Sequence, residues 1–400
     1  MKVLIIAQYF PPDMGGGATR AYNAARGLSK NNCDVTIISA VPHYPTGDIP
    51  KEYRMKPLSV EYDGEMRVIR TFILPLASEG LVKRMLLFAS FVISSLFALP
   101  FVGNVDVIWA ANPNVISFYP SLFYSLVKHC PLIQNVDDLW PEALHDLGVP
   151  EKSFVSKLGE LAAGTVYKFA SFITPISSDH VSIIASKYHV KRSKICVVPA
   201  GVDLDKFNGR QKNSLSGKLT VLYIGAFSPA YDFDQVLKAA KLLSTFPDVE
   251  FVIQGGGELS AILQSEVKKW ELSNVKMVER IVSRDEVARM LNEAWAALLP
   301  LKGSVEMGIS SKLYEYQAAR KPIVCCSKGQ QGRYVSETKS GIVVKPGDYE
   351  ALAKAILYLR ENRDLADRLG ASGRQYVENN LSIERIGFQM KDIFRLVIAG

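Results

Sequence analysis

Two carboxylates draw attention in the stretch SVEMGISSKLYEYQAARKPIVCC, residues 304–326, where Glu306 and Glu315 flank glycine and serines rather than an obvious solvent face. SSKLYEYQAAR reads as a helix opening on a serine cap, and KPIVCC as a short buried strand. Carboxylates at the mouth of such a strand–loop–helix unit can accept hydrogen bonds from ligand hydroxyls. A second pair, Asp137 and Asp138 in NVDDLWPE, closes another apolar run. These acids could bind substrate hydroxyls or take a proton from an attacking alcohol; the plainer alternative has Asp138 capping the following turn. A third candidate is Gly15-Gly16-Gly17 in PPDMGGGATR, between the first strand and first helix. Glycines let a backbone approach a ligand closely there, and a helix start favours an anion. The spacing is not G-x-G-x-x-G, and no acid sits at the end of a second strand to hold a ribose, which speaks against a dinucleotide site.

The elements that must position these groups alternate. KVLIIAQ is a continuous apolar run typical of a parallel strand covered on both faces, and Ala21, Ala24, Ala25 and Leu28 then recur at helical spacing. VTIIS, VDVIWA (105–110), PLIQNV (131–136) and SFITPIS (171–177) repeat the unit. A polar, turn-rich stretch around 200–217 reads as a linker, after which LTVLYIG, VEFVIQGGG, KMVER, AALLPL and KPIVCC restart the rhythm. Leu352, Ala355, Ile356 and Leu359 mark a late helix, and the tail from 381 is long enough for another. Two βα-repeating halves predict two parallel sheets with ligands at the carboxyl ends of their strands. Residues 81–102 hold an eighteen-residue uncharged run behind Lys83 and Arg84. Three readings fit it: a helix buried on the sheet, a helix docked on a membrane surface, or a span, the last disfavoured because the next strand begins at Val105.

Four hundred residues exceed one ordinary core, and 48% hydrophobic against 22% charged residues describe a folded chain rather than a disordered one. A net charge of +7 permits anionic partners, but no basic run is interleaved with aromatics, so nucleic-acid binding is not expected. Cys33, Cys130, Cys196, Cys325 and Cys326 form no C-x-x-C pair, and the five histidines show no metal spacing; a reducing compartment and no metal are expected. MKVLIIAQYF has too short an apolar run for a signal peptide and reads as a first strand.

Taken in order, VVPAGVDLDKF (197–207), YIGAFSP and FDQVLKAA within 223–240, VIQGGGE (252–258), SSKLYEYQAARKPIV (310–324) and SGIVVKPGDYEALAKAI (340–356) resemble the retaining glycosyltransferases of family 4, which have the GT-B fold. PPDMGGG and DDLWPE resemble the subgroup that builds bacterial surface polysaccharides, including amino-sugar transferases of the O-antigen type. No single motif is decisive, but five in order over nearly the whole chain are specific. The resemblance implies an α/β GT-B chain: two Rossmann-like parallel-sheet domains facing a central cleft. Residues 1–203 would bind the acceptor, 204–380 the nucleotide-sugar, and 381–400 would form a helix packing back toward the N-terminal domain.

It also implies roles for residues. Glu315 would hold the ribose hydroxyls and Glu306 the donor sugar; Gly308, Ile309, Ser310 and Ser311 would cradle the diphosphate beside Lys312, with Gly225 and Gly256 lining the donor site and Arg280 facing the base. Gly15, Gly16, Gly17 and Arg20 would form the acceptor and phosphate loop, and Asp137 and Asp138, with Glu306, the catalytic set. There are three departures. Eight residues rather than the family's seven separate Glu306 from Glu315, Ala226 and Tyr231 stand where many relatives carry arginine and lysine, and Asp137 stands where many carry histidine. The implied reaction moves a hexosyl or N-acetylhexosaminyl group from a nucleotide-sugar to an acceptor hydroxyl with retention and without metal or cofactor; UDP is the commonest nucleotide in the family, and nothing in these residues excludes GDP. The expected acceptor is a polyprenyl-diphosphate-linked saccharide, met by a peripheral protein at the cytoplasmic face of the membrane. A GT-B-type nucleotide-sugar epimerase and a non-catalytic nucleotide-sugar-binding subunit are the alternatives; an NAD-dependent oxidoreductase lacks its fingerprint.

Overall fold

The alternation in the sequence becomes two parallel sheets, each carrying its own helices, in a computed structural model of the chain. The structure describes all residues except 14, 45–46, 55, 77–80, 112–117, 143–144, 146–149, 208–217, 281 and 306–307. The chain divides into one unit of Met1–Gly201 with Ile383–Gly400 and a second of Val202–Ser382.

The first unit contains strands β1 (Lys2–Ile6), β2 (Asp34–Ala40), β3 (Leu58–Asp63), β4 (Met66–Thr71), β5 (Val107–Ala110), β6 (Leu132–Val136) and β7 (Phe172–Pro175). Their order is β3-β4-β2-β1-β5-β6-β7, parallel apart from the β3–β4 pair. That antiparallel hairpin departs from the all-parallel expectation; Gly64-Glu65 forms its two-residue turn, with glycine at the first position taking the positive φ (61°) such a turn needs. Helices α1 (Gly16–Lys30), α2 (Leu81–Leu96), α3 (Phe118–Lys128), α4 (Phe154–Phe169) and α5 (Ser178–Lys187) cover the sheet. β5 and β6 are buried along their whole length, as continuous apolar runs between two helix layers must be.

Residues 81–102 resolve into amphipathic α2 and a short 3₁₀ turn at Leu99–Phe101. Leu87 and Phe91 enter the core while Met85, Leu86, Ile93, Phe97 and Phe101 are exposed. No helix among the described residues is long and apolar enough to cross a membrane.

The second unit contains β8 (Leu219–Ala226), β9 (Val249–Gly256), β10 (Val275–Glu279), β11 (Ala296–Pro300), β12 (Ile323–Cys326) and β13 (Gly341–Val344), all parallel in the order β10-β9-β8-β11-β12-β13. Its helices are α6 (Phe233–Leu242), α7 (Ser260–Lys269), α8 (Arg284–Glu293), α9 (Ser311–Ala318), α10 (Gln330–Glu337), α11 (Tyr349–Glu361) and α12 (Arg363–Asn380). Leu352, Ile356 and Leu359 of α11 are fully buried, each side chain contributing about 1.5–3 kcal/mol. The last helix, α13 (Ile383–Ala399), returns to the first unit and packs on α1. The two approach so closely that a Cβ on Gly387 would lie 2.1 Å from the Gly27 carbonyl oxygen.

The strand order reverses between β1 and β5 in the first sheet and between β8 and β11 in the second. Ligands of open parallel sheets bind beyond the carboxyl ends of the strands at such reversals.

Candidate functional site

At the reversal in the second sheet, the loop after β8 is zipped to the end of β11. Asp232 N–H donates to Pro300 O (2.8 Å), Lys302 N–H to Ala230 O (3.0 Å), and Tyr231 bridges Leu301. Gly225, at the tip of β8, has φ 146°, and a Cβ there would lie 2.2 Å from Cε of Lys312. The lysine chain crosses the space that only glycine leaves. Its Nζ donates to Tyr231 Oη (2.9 Å) and lies 4.9 Å above the Tyr231 ring and 5.9 Å from that of Tyr223. Gly255 closes the same corner, since a Cβ on it would stand 1.8 Å from Gly225 O. Gly256, expected with Gly225 to line the donor site, faces open space.

α9 delivers Lys312 and Glu315 from its first turns. Ser310 caps it, Oγ accepting from Lys312 N–H (3.4 Å). The expected anion cradle is narrower than the sequence suggested: Gly308 N–H already donates to Gln330 Oε1 (3.0 Å) and Ser310 N–H to Gln331 Oε1 (3.3 Å). Two of its four amides are thus tied to α10, leaving the ammonium of Lys312 as the main positive charge beside Ile309 and Ser311. Glu315 Oε1 lies 3.7 Å from a guanidinium nitrogen of Arg284, their side chains 17% and 15% exposed. Burial pushes the Glu315 carboxyl above its ordinary range, against the pull of Arg284 and Lys312. Arg280 follows β10 with its side chain 61% exposed and paired with Glu286, while its carbonyl accepts from Gln254. Glu306 lies outside the described residues.

In the first unit, Gly15 (φ 124°) caps α1 and Gly16 and Gly17 open it, a Cβ on Gly16 meeting nothing within 4 Å. Arg20 does not join that loop. Its guanidinium is buried, donating to Pro199 O, to Val198 O (2.6 Å) and to Asn135 Oδ1 (2.8 Å), and lies over Trp109. The reason is that α1 is covered on that side by the 198–199 segment, whose carbonyls need donors. Arg20 Nε reaches Asp137 Oδ1 at 3.5 Å, and Asn135 Nδ2 donates to the same oxygen (2.8 Å). Burial raises the Asp137 carboxyl against Arg20, Asn135 and nearby His180, whose own imidazole burial holds below its ordinary value. Asp138 is exposed. Among the described residues no three His, Cys, Asp or Glu side chains gather to hold a metal ion.

Arg284, Asn135, His180 and the two glutamines escaped sequence reasoning. Arg284 follows the cap Ser283 in SRDE, an ordinary exposed-looking helix start, and its partner lies 31 positions on; His180 follows strand β7 in SSDH, the one signal that could have placed it at a strand tip.

Models of two glycosyltransferase families match in tandem: Glycosyltransferase Family 4 over residues 14–206 and Glycosyl transferases group 1 over 205–376. The chain carries a Glycosyltransferase Family 4 domain followed by a Glycosyl transferases group 1 domain. The putative colanic acid biosynthesis glycosyl transferase WcaI of Escherichia coli K12 is 22% identical to this chain over 96% of it and 98% of WcaI. Amylovoran biosynthesis glycosyltransferase AmsK of Erwinia amylovora is 27% identical, and the O-antigen chain mannosyltransferase C of Escherichia coli 25%. The matches span 42% of the length of AmsK and 60% of that of the mannosyltransferase. Among solved structures, sucrose-phosphate synthase of Thermosynechococcus elongatus superposes with TM-score 0.77 at 18% identity, covering 100% of this chain and 99% of that one. Anabaena HepE in complex with UDP and glucose gives 0.69 at 14%, covering 99% of each chain, and WaaG gives 0.66 at 15%, covering 98% of this chain and 99% of WaaG. The fold class is GT-B.

Proposed function

We propose that this protein transfers a sugar, hexosyl or N-acetylhexosaminyl, from a UDP-linked donor to a polyprenyl-diphosphate-linked saccharide in surface polysaccharide assembly, with retention and without a metal. The observation that carries the reading is Lys312 and Glu315 on one helix at the reversal of the second sheet: a cation and a partly buried acceptor of hydroxyl hydrogen bonds one turn apart. Lys312 would neutralise the leaving diphosphate and Glu315 bind the ribose. With no enzymic nucleophile assigned, retention fits front-face attack, the leaving phosphate accepting the proton of the acceptor hydroxyl while Asp137 orients that alcohol. Support for the nucleotide comes from HepE, solved with UDP, and for the pathway from relatives named for amylovoran and colanic acid biosynthesis.

Glu315→Ala tests the reading. Losing a charged acceptor of hydroxyl hydrogen bonds should raise the donor KM about 10- to 100-fold, with the acceptor KM little changed and EDTA without effect on the rate. An unchanged donor KM would sink the ribose assignment. Donor incubated without acceptor should stay intact; its conversion to an epimer would replace transfer by epimerisation.

A further inference from the structure

We propose that Arg284 is a positioning residue of the nucleotide site: it holds the carboxylate of Glu315 toward ligand hydroxyls and thereby keeps Lys312 for the phosphates. This rests on the roles given above to Glu315 and Lys312. Three observations lead to it. Arg284 is the first residue of α8, fixed there because Ser283 Oγ caps the helix at Glu286 N–H (3.3 Å), and it reaches across to α9 to stand 3.7 Å from Glu315 Oε1. Next, Lys312 and Glu315 are three residues apart on α9, a spacing at which opposite charges readily pair. The structure does not pair them: Lys312 turns away, over Gly225, to Tyr231 Oη at 2.9 Å. Finally, Glu315 sits where burial favours its protonated form, and Arg284 ahead of Lys312 opposes that.

A protonated carboxyl keeps less acceptor capacity and cannot bridge two hydroxyls as an ion does. Among the described residues, the charged groups acting on Glu315 are Arg284 from α8 and Lys312 from its own helix. One ammonium cannot serve Glu315 and a diphosphate equally well. Arg284 resolves that conflict by taking the carboxylate, so two charges of one helix turn can face two parts of one ligand.

The experiment measures UDP binding by isothermal titration calorimetry on the full chain, with GDP in parallel, between about pH 5 and 8 so as to bracket a raised carboxyl. Arg284→Gln should weaken UDP about 10- to 100-fold near neutral pH. Without the arginine the Glu315 pKa rises further, so affinity, present above that pKa, should be lost from a higher pH downward than in the parent. Arg284→Lys, which keeps a charge, should restore much of both, and gives the pH midpoint even if the glutamine variant folds poorly. In a Glu315→Gln background, Arg284→Gln should add almost nothing. Equal losses in both backgrounds, or a pH midpoint that does not move, would overturn the proposal, because Arg284 would then touch the nucleotide itself or serve only the fold. Glu315→Gln binding UDP like the parent would instead overturn the ribose reading. Glu315→Gln weakened with Arg284→Gln unaffected would overturn this inference alone.

Discussion

Each unit sets a carboxylate beside an arginine, at 3.5 Å for Asp137 with Arg20 and 3.7 Å for Glu315 with Arg284. Burial raises both acids and an arginine pulls both back. What differs is how the arginine is spent. Arg20 is 3% exposed and gives its donors to two backbone carbonyls and Asn135 as well as facing Asp137, so it ties α1, the tip of β6 and the 198–199 segment together. Arg284 is 15% exposed, at the start of a surface helix, and its neighbour Lys312 rests on a tyrosine. The same charge pair is a structural knot in one unit and, on the role proposed above for Glu315, would face a ligand in the other. Local wiring, rather than residue type, separates the roles.

The sharpest way to break that comparison is Arg20→Ala. Removing one partner of a buried ion pair that also satisfies carbonyls should cost about 3–5 kcal/mol. For a unit of this size that lowers Tm by roughly 6–20 °C, read by calorimetry, with UDP affinity unchanged in whatever remains folded. A stable variant with impaired acceptor use would put Arg20 back in a ligand site.

The contrast was only half legible in the sequence. Continuous apolar runs announced β1, β2, β5, β6, β8, β9 and β12, because strands buried on both faces carry no polar alternation. Glu315 was legible because it stands at fixed offsets within a local motif, and local offsets survive folding. Arg20 was not, since a buried arginine and a loop arginine look alike until the carbonyls of Val198 and Pro199, 178 and 179 positions away, are in place. Gln330 and Gln331 escaped for the same reason, their amide oxygens taking cradle donors 22 and 21 residues upstream. The β3–β4 turn at Gly64-Glu65 carries a local signal, a glycine between two alternating runs, and is legible in the sequence.

Glycines give a second, smaller test. Gly225→Ala places a Cβ 2.2 Å from Cε of Lys312 at a φ of 146°. The lysine is flexible and will leave Tyr231, so UDP affinity should fall about tenfold, with about 1–2 kcal/mol of backbone strain. In a Lys312→Met background the affinity effect should vanish while the strain stays. Gly16→Ala, in open space at the first turn of α1, should be neutral or stabilise by about 0.4–1 kcal/mol. A tenfold loss from Gly16→Ala in UDP binding would erase the distinction between the two glycine loops.

The units also differ on the outside, and that supplies the mildest prediction. The crossovers β4→β5, β5→β6 and β6→β7 all step the same way along the sheet, so right-handed connections put α2, α3 and α4 on one side. Leu87, Phe91, Phe118, Tyr124, Ala163 and Val166 accordingly share one core. Outward, these helices show Ile93, Phe123, Leu126, Leu158 and Leu161, with Phe97 72% exposed just beyond α2. Their sequences carry Lys83, Arg84, Lys128, Lys157 and Lys168 against Glu160 as the one acid. Exposed apolar side chains on helices whose sequences are net basic are the combination that an anionic bilayer surface would attract. Binding to phosphatidylglycerol-containing vesicles, followed by co-sedimentation, should therefore weaken with added salt. Phe97→Ala should reduce it by up to about tenfold, the range for one partly inserted aromatic side chain, while UDP affinity stays at the parent value. Tyr358→Ala, an exposed aromatic of α11 in the other unit, should change nothing. If both variants weaken vesicle binding alike, the apolar face of the first unit is ordinary surface and the two units no longer differ in this respect.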